Sequence, residues 1–196
     1  CVSWARRCVS ETGRILRLLI LSQCSIKHEQ SEWETIFNGK NLDGWTVKIK
    51  GYPTGDNFGN TFKVVDEAIQ VSYENYDNFD FKFGHIYYTE KKYKNYHLKL
   101  EYKFFGNQAI GGEGWATKNS GIMFHSQHPE TMLIDQSFPV SLEAQFLGGL
   151  GDGNRPTGNL CTPGTDVDID FEKLKSHCTQ SSSETYHSDD LSLIHI

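Results

Sequence analysis

Proline is scarce in this 196-residue chain, with five residues against eighteen glycines, and no stretch keeps a long helical spacing of apolar positions. That combination points to a β-protein punctuated by glycine turns. No apolar run approaches the ~20 residues that a membrane-spanning helix needs. Excess positive charge is missing too: 19 Lys and Arg stand against 25 Asp and Glu, a formal charge of −6. With a pI near 5.7, the chain lacks the basic footprint of a nucleic-acid binder, so none is expected as a partner. Neutral substrates fit better. Repeats and low-complexity linkers are absent, and the length suits one domain. What is present is aromatic bulk, 13% of residues within a 37% hydrophobic total, enough for a core beneath a polar surface.

Strand signals recur at short spacing. Residues 62–65 and 68–73 flank Asp66-Glu67 in a hairpin pattern. Residues 86–89 form another β-rich run. Tyr96, Leu98, Leu100, Tyr102 and Phe104 alternate with polar residues, which predicts a half-buried strand. A glycine-rich loop, 106–116, carries Glu113 and Trp115, and strands are predicted over 120–126 and 140–147. Residues 148–153 read as a flexible loop. The aspartates Asp166, Asp168 and Asp170 alternate like the solvated face of a strand edge, with calcium as the competing reading. Many short strands with glycine turns make an all-β sandwich or jelly roll.

The two ends read differently from the body. Arg6, Arg7, Arg14 and Arg17 precede or interrupt a short apolar run, 15–21. Residues 1–28 are therefore expected to be a leader, with upstream translation contributing to their pattern-free start. Leu21-Ser22-Gln23-Cys24 is similar to a lipoprotein signal-peptidase site, which leaves a lipid anchor at Cys24 or simple secretion as alternatives. Either way the expected location is outside the cytoplasm, in a bacterial periplasm or on its membranes. With the leader removed, Cys161 and Cys178 are the remaining cysteine pair, as an exported disulfide would look. The alternative, zinc with His177, lacks paired-ligand spacing. The last six residues, 191–196, match a translated sequencing adapter. The domain proper is expected over 29–190, and incomplete at its C-terminal side.

Three motifs carry a family resemblance. The first is Phe37-Asn38-Gly39-Lys40-Asn41-Leu42-Asp43-Gly44-Trp45 and the second is Asn119-Ser120-Gly121-Ile122-Met123-Phe124-His125. The third is Ser141-Leu142-Glu143-Ala144-Gln145-Phe146, followed by Gly158-Asn159-Leu160-Cys161-Thr162-Pro163-Gly164-Thr165. In this order, over about residues 33–187, they resemble the 3-keto-disaccharide hydrolase family. The resemblance implies a concanavalin A-like jelly roll that lacks later strands here, and hydrolysis of oxidised glycosides. It also implies a small carbohydrate substrate and a separate sugar-oxidising enzyme acting first.

Period-two geometry sorts the motif residues. Leu142, Ala144 and Phe146 take one face of their strand, and Ser141, Glu143 and Gln145 the other. The carboxylate and the amide then stand roughly 7 Å apart. Asn119, Gly121, Met123 and His125 share a face of the earlier strand, where Gly121 lets a ligand or backbone approach. If the two strands are neighbours, as the resemblance implies, Asn119, His125, Glu143 and Gln145 converge on one groove.

Glu143 is then the catalytic base, against a merely solvated glutamate. Gln145 and Asn119 hold hydroxyls, against a structural amide and a turn-capping asparagine. His125, where the family more often has arginine, serves acid–base or hydrogen-bonding work, against a structural histidine. Arg155 would hold an anionic oxygen, and Trp115 would stack on a sugar or anchor a lid. No cofactor is firmly implied. A divalent cation at His125 and His128 stays open, although no carboxylate pattern completes a set there. The competing function is a non-catalytic carbohydrate-binding module on the same fold. An ordinary glycosidase would need a second carboxylate such as Glu113.

Overall fold

The computed structural model describes residues 33–174, 176–187 and 192–195. Residues 1–28, where a leader is expected, lie outside the described residues together with their Cys1, Cys8 and Cys24. In chain order the strands are β1 (Trp45–Ile49), β2 (Phe62–Val65), β3 (Ala68–Val71), β4 (Gly84–Tyr88), β5 (Lys99–Tyr102) and β6 (Asn119–Phe124). They continue with β7 (Leu142–Leu147), β8 (Asn159–Cys161), β9 (Asp168–Ile169), β10 (Glu172–Lys173), β11 (Cys178–Thr179) and β12 (Ser192–His195). Between them lie only short 3-10 turns. No helix among the described residues is long and apolar enough to cross a membrane.

The architecture is an all-β sandwich. Its largest sheet runs in the order β11-β8-β7-β6, all antiparallel. Two-stranded ladders pair β1 with β4, β2 with β3, and β5 with β12. Val47 and Ile49 of β1 and Phe62 of β2 form a buried cluster, with Leu42, Tyr52, Phe58, Ile69 and Ile86 packed against it. On the largest sheet the apolar face turns inward. Phe146 is 3% exposed and stacks on Tyr102 of β5 at 4.5 Å between ring centroids. Burying one such ring contributes roughly 2–3 kcal/mol.

The first family motif is an architectural turn. The Asn38 side-chain oxygen accepts from the amides of Lys40 and Asn41 at 2.8 and 3.0 Å. Gly39 and Gly44 take φ of 72° and 83°, which glycine adopts at little cost. Trp45 then enters β1 edge-on to Phe37 and Tyr88.

Most predicted strands are present, with shorter bounds. Asp66 and Glu67, at φ 49° and 60°, make the two-residue turn between β2 and β3. Residues 98–105 alternate between half-buried and exposed as expected, while Tyr96 is exposed. The alternation of the aspartates ends early. Asp168 lies on β9, but Asp170 turns with Phe171 at positive φ, and Asp166 pairs with Lys173 at 2.6 Å. The loop expected to be flexible is pinned at its start. Gly148 N–H donates to Lys118 O and Gly149 N–H to Tyr186 O, at 2.9 and 2.7 Å.

Residues 192–195, read as adapter, pair with β5. A β-prone segment beside an open strand edge pairs through backbone groups alone, so this ladder does not bear on the segment's origin. Cys161 and Cys178 are disulfide-bonded across the β8–β11 ladder. Their thiolates are therefore not zinc ligands.

Candidate functional site

The register of the largest sheet brings the motif residues together. Met123 of β6 and Cys161 of β8 both stand opposite Glu143 of β7, and Gly121 and Asn159 both stand opposite Gln145. Residues opposite one another share a face. Glu143, Gln145, Gly121 and Asn119 therefore occupy the face turned away from Phe146 and the core.

Glu143 leans across Gly121. A methyl group there would collide with the Glu143 carboxylate oxygen Oε1 and lie 2.9 Å from the Ala144 carbonyl. The open place that the glycine leaves is thus filled by the carboxylate itself. Burial raises the Glu143 pKa from 4.5 to about 7, with no neighbouring charge contributing. A carboxylate 5–5.5 Å away, as a retaining glycosidase pair requires, would add its own repulsion. Among the described residues, only Trp45 Nε1 and Tyr93 Oη are polar side-chain atoms both sealed from solvent and unpartnered. The Glu143 oxygens, which no described residue hydrogen-bonds, are not among them. They keep some contact with solvent.

Gln145 is held from the side, by its neighbour on β8. Its Oε1 accepts from Asn159 Nδ2 at 3.0 Å. Asn159, 3% exposed, also donates to Pro156 O at 3.0 Å and accepts from the Ser181 amide at 3.0 Å.

The remaining candidates separate. Asn119 is on the shared face, but its amide donates to Trp115 O at 3.1 Å, the turn-capping role. Arg155 is spent on backbone. Its guanidinium donates to the carbonyls of Lys118 at 3.2 Å, Trp115 at 3.3 Å and Thr117 at 2.5 Å, and also to Gly148. It ties the loop entering β6 to the loop leaving β7, so the guanidinium expected to bind an anion has a structural task. Trp115 is 54% exposed and stacks on Phe83 at 5.6 Å.

His125 departs from the expected face. β6 ends at Phe124, and His125 is exposed at φ 50°, so strand alternation stops before it. It lines an open hollow of about 430 Å³ with Lys94, Asn95, Tyr96, His97 and Phe124. Neither Glu143 nor Gln145 lines that hollow. His128 caps a 3-10 turn by accepting from the Glu130 amide. No three His, Cys, Asp or Glu side chains gather as a metal set among the described residues.

Two features escaped the sequence reading. In the sequence Asn159 stands out only as part of a motif, because its tie to Gln145 depends on the β7–β8 register. Lys48 is buried on β1, donating to the carbonyls of Ile49, Tyr52 and Ile134 at 3.1, 2.9 and 3.2 Å. Its strand partner His85 is pushed down to about 4 by burial and then by the Lys48 charge. The alternation of Trp45, Val47 and Ile49 was the available signal for β1.

Residues 32–189 match the family model described as 3-keto-alpha-glucoside-1,2-lyase-like domain. The chain belongs to this family. Neither a curated protein nor a solved structure matches it. Membership in the 3-keto-alpha-glucoside-1,2-lyase-like family gives the chain a carbohydrate-related role.

Proposed function

We propose that this protein cleaves 3-keto-glycosides by elimination across C1 and C2, followed by hydration to a net hydrolysis. The carrying observation is the state of Glu143: half-buried, unpaired, in some contact with solvent and raised to about 7. Such a carboxylate is a base poised near neutral pH. It suits one task in particular. A ketone at C3 acidifies the C2 proton, so Glu143 takes that proton and an enolate forms at C2–C3. Collapse of the enolate expels the C1 substituent, which leaves with a proton from solvent, and a double bond forms between C1 and C2. Water then adds at C1 and a proton returns to C2. Gln145 contacts a sugar oxygen, and Trp115 offers a half-exposed ring on which a sugar face can stack. His125 is assigned no step.

Because the ketone must be present beforehand, an oxidation at the sugar C3 hydroxyl has to supply the substrate. The single unpaired carboxylate favours this chemistry over conventional glycoside hydrolysis, which uses two. The test follows leaving-group release from a 3-keto-glucoside and its unoxidised parent, in wild type and Glu143→Gln. Cleavage of the keto form alone, abolished by the substitution, is expected. Sugar binding without turnover of either would identify a carbohydrate-binding module instead.

A further inference from the structure

The orientation of Gln145 is set by groups that cannot reverse their roles. Pro156 O can only accept, so the part of the Asn159 amide facing it is the NH2 group; the Ser181 N–H can only donate, so the part facing it is the oxygen. One Asn159 Nδ2 proton serves Pro156, and the other serves Gln145 Oε1. Gln145 Oε1 is thereby turned toward Asn159, with one of its two acceptor positions filled. Its Nε2 has no acceptor among the described residues, and it is not one of the sealed atoms. On the face it shares with Glu143, the uncommitted group of Gln145 is therefore its NH2, while Oε1 is held toward Asn159.

We propose that Asn159 is a positioning residue. By holding Gln145 with its NH2 toward the ligand, it makes the site favour a C3 carbonyl over a C3 hydroxyl. This rests on the keto-glycoside reading of the Glu143 face. A ketone oxygen only accepts, and it gains charge as the C2 proton leaves, so a fixed N–H donor serves it better as the reaction proceeds. A hydroxyl at the same place brings a proton of its own. Gln145 Oε1 is turned toward Asn159, and the acceptor best placed for that proton is the Glu143 carboxylate, which is then tied up as a base.

Two substitutions test this. Asn159→Asp removes both donors, so Gln145 turns its NH2 toward the new carboxylate and its oxygen toward the ligand. Gln145→Glu keeps an acceptor for Asn159 but removes the outward donor. The measurement is the ratio of Kd values for a 3-keto-glucoside and its C3-hydroxyl parent, together with the pH midpoint of kcat/KM. Each variant should lose keto preference by about tenfold or more. In Asn159→Asp the new carboxylate adds repulsion to Glu143, so the acid midpoint should move up rather than down.

A titration of the wild type should move the Gln145 side-chain NH2 resonances with the keto sugar and leave them in place with the parent. Equal weakening toward both sugars, or an unchanged ratio, would overturn the inference. If Asn159→Asp does not fold, Gln145→Glu and the NH2 titration decide. A wild type without keto preference would instead count against the underlying reading, which separates the two failures.

Discussion

A carboxylate that is half-buried with no cation beside it is costly in its charged form, and Glu143 is such a group. Its pKa is raised from 4.5 to about 7 by burial, so the folded protein keeps a proton there that the unfolded chain has released. Folded protein thus binds more protons between these two values, and stability falls as pH rises through that window. Glu143→Gln should be more stable than wild type at about pH 8, on the order of 2 kcal/mol after allowing for solvent contact, and equal to it at about pH 4. Denaturant midpoints at the two pH values check this; equal midpoints at the higher pH would contradict it. Gly121 is the companion case. A methyl group there would meet Glu143 Cγ at 2.8 Å and the Ala144 carbonyl at 2.9 Å. Gly121→Ala should cost about 1–3 kcal/mol and displace the carboxylate, read as a lowered melting point together with a lost acid limb in the pH–rate profile.

Strands bring the site together, and loops hold the strands in place. Arg155 joins the segments 115–118 and 148 through four carbonyls. Arg155→Met should destabilise the protein by about 3 kcal/mol, and Arg155→Lys should not restore it, because one ammonium cannot replace a planar fork. A change in KM with unaltered thermal stability would return Arg155 to the ligand. The disulfide acts on the same sheet, because Cys161 is opposite both Cys178 and Glu143. Reduction should lower stability by about 2–4 kcal/mol, seen as a shifted denaturant midpoint; an unchanged midpoint would count against a structural role.

At this scale the faces of β5, β6 and β7 were legible because side chains alternate with a period of two. His125 was misplaced by the same rule, since alternation carries no signal for where a strand stops. β1 went unread although Trp45, Val47 and Ile49 alternate. Its other face carries Lys48, which is also buried, so the strand has no wet face of the usual kind. The Arg155 clamp was invisible, because carbonyls leave no mark on the sequence.

For the molecule as a whole, the family motifs divide by task. Residues 37–45 build a turn into β1, whereas Gly121, Glu143 and Gln145 build the face on which chemistry is proposed. Fold class was readable from glycine turns and short strands, and the Glu143–Gln145 face from alternation joined to the family resemblance. The support for Gln145 on that face, Asn159 held by Ser181, required strand register and a tertiary contact, neither of which is encoded locally.

The central claim is that Glu143 removes the C2 proton, and isotope content at C2 tests it most directly. A 3-keto-glucoside carrying deuterium at C2 would be cleaved by the purified protein, with Glu143→Gln as the control for uncatalysed exchange. The account predicts that the released sugar has lost its C2 deuterium to solvent. It also predicts a rate that rises with pH to a plateau, with a midpoint near the Glu143 value of about 7. Cleavage that retains the deuterium would mean direct displacement at C1, and would contradict the account.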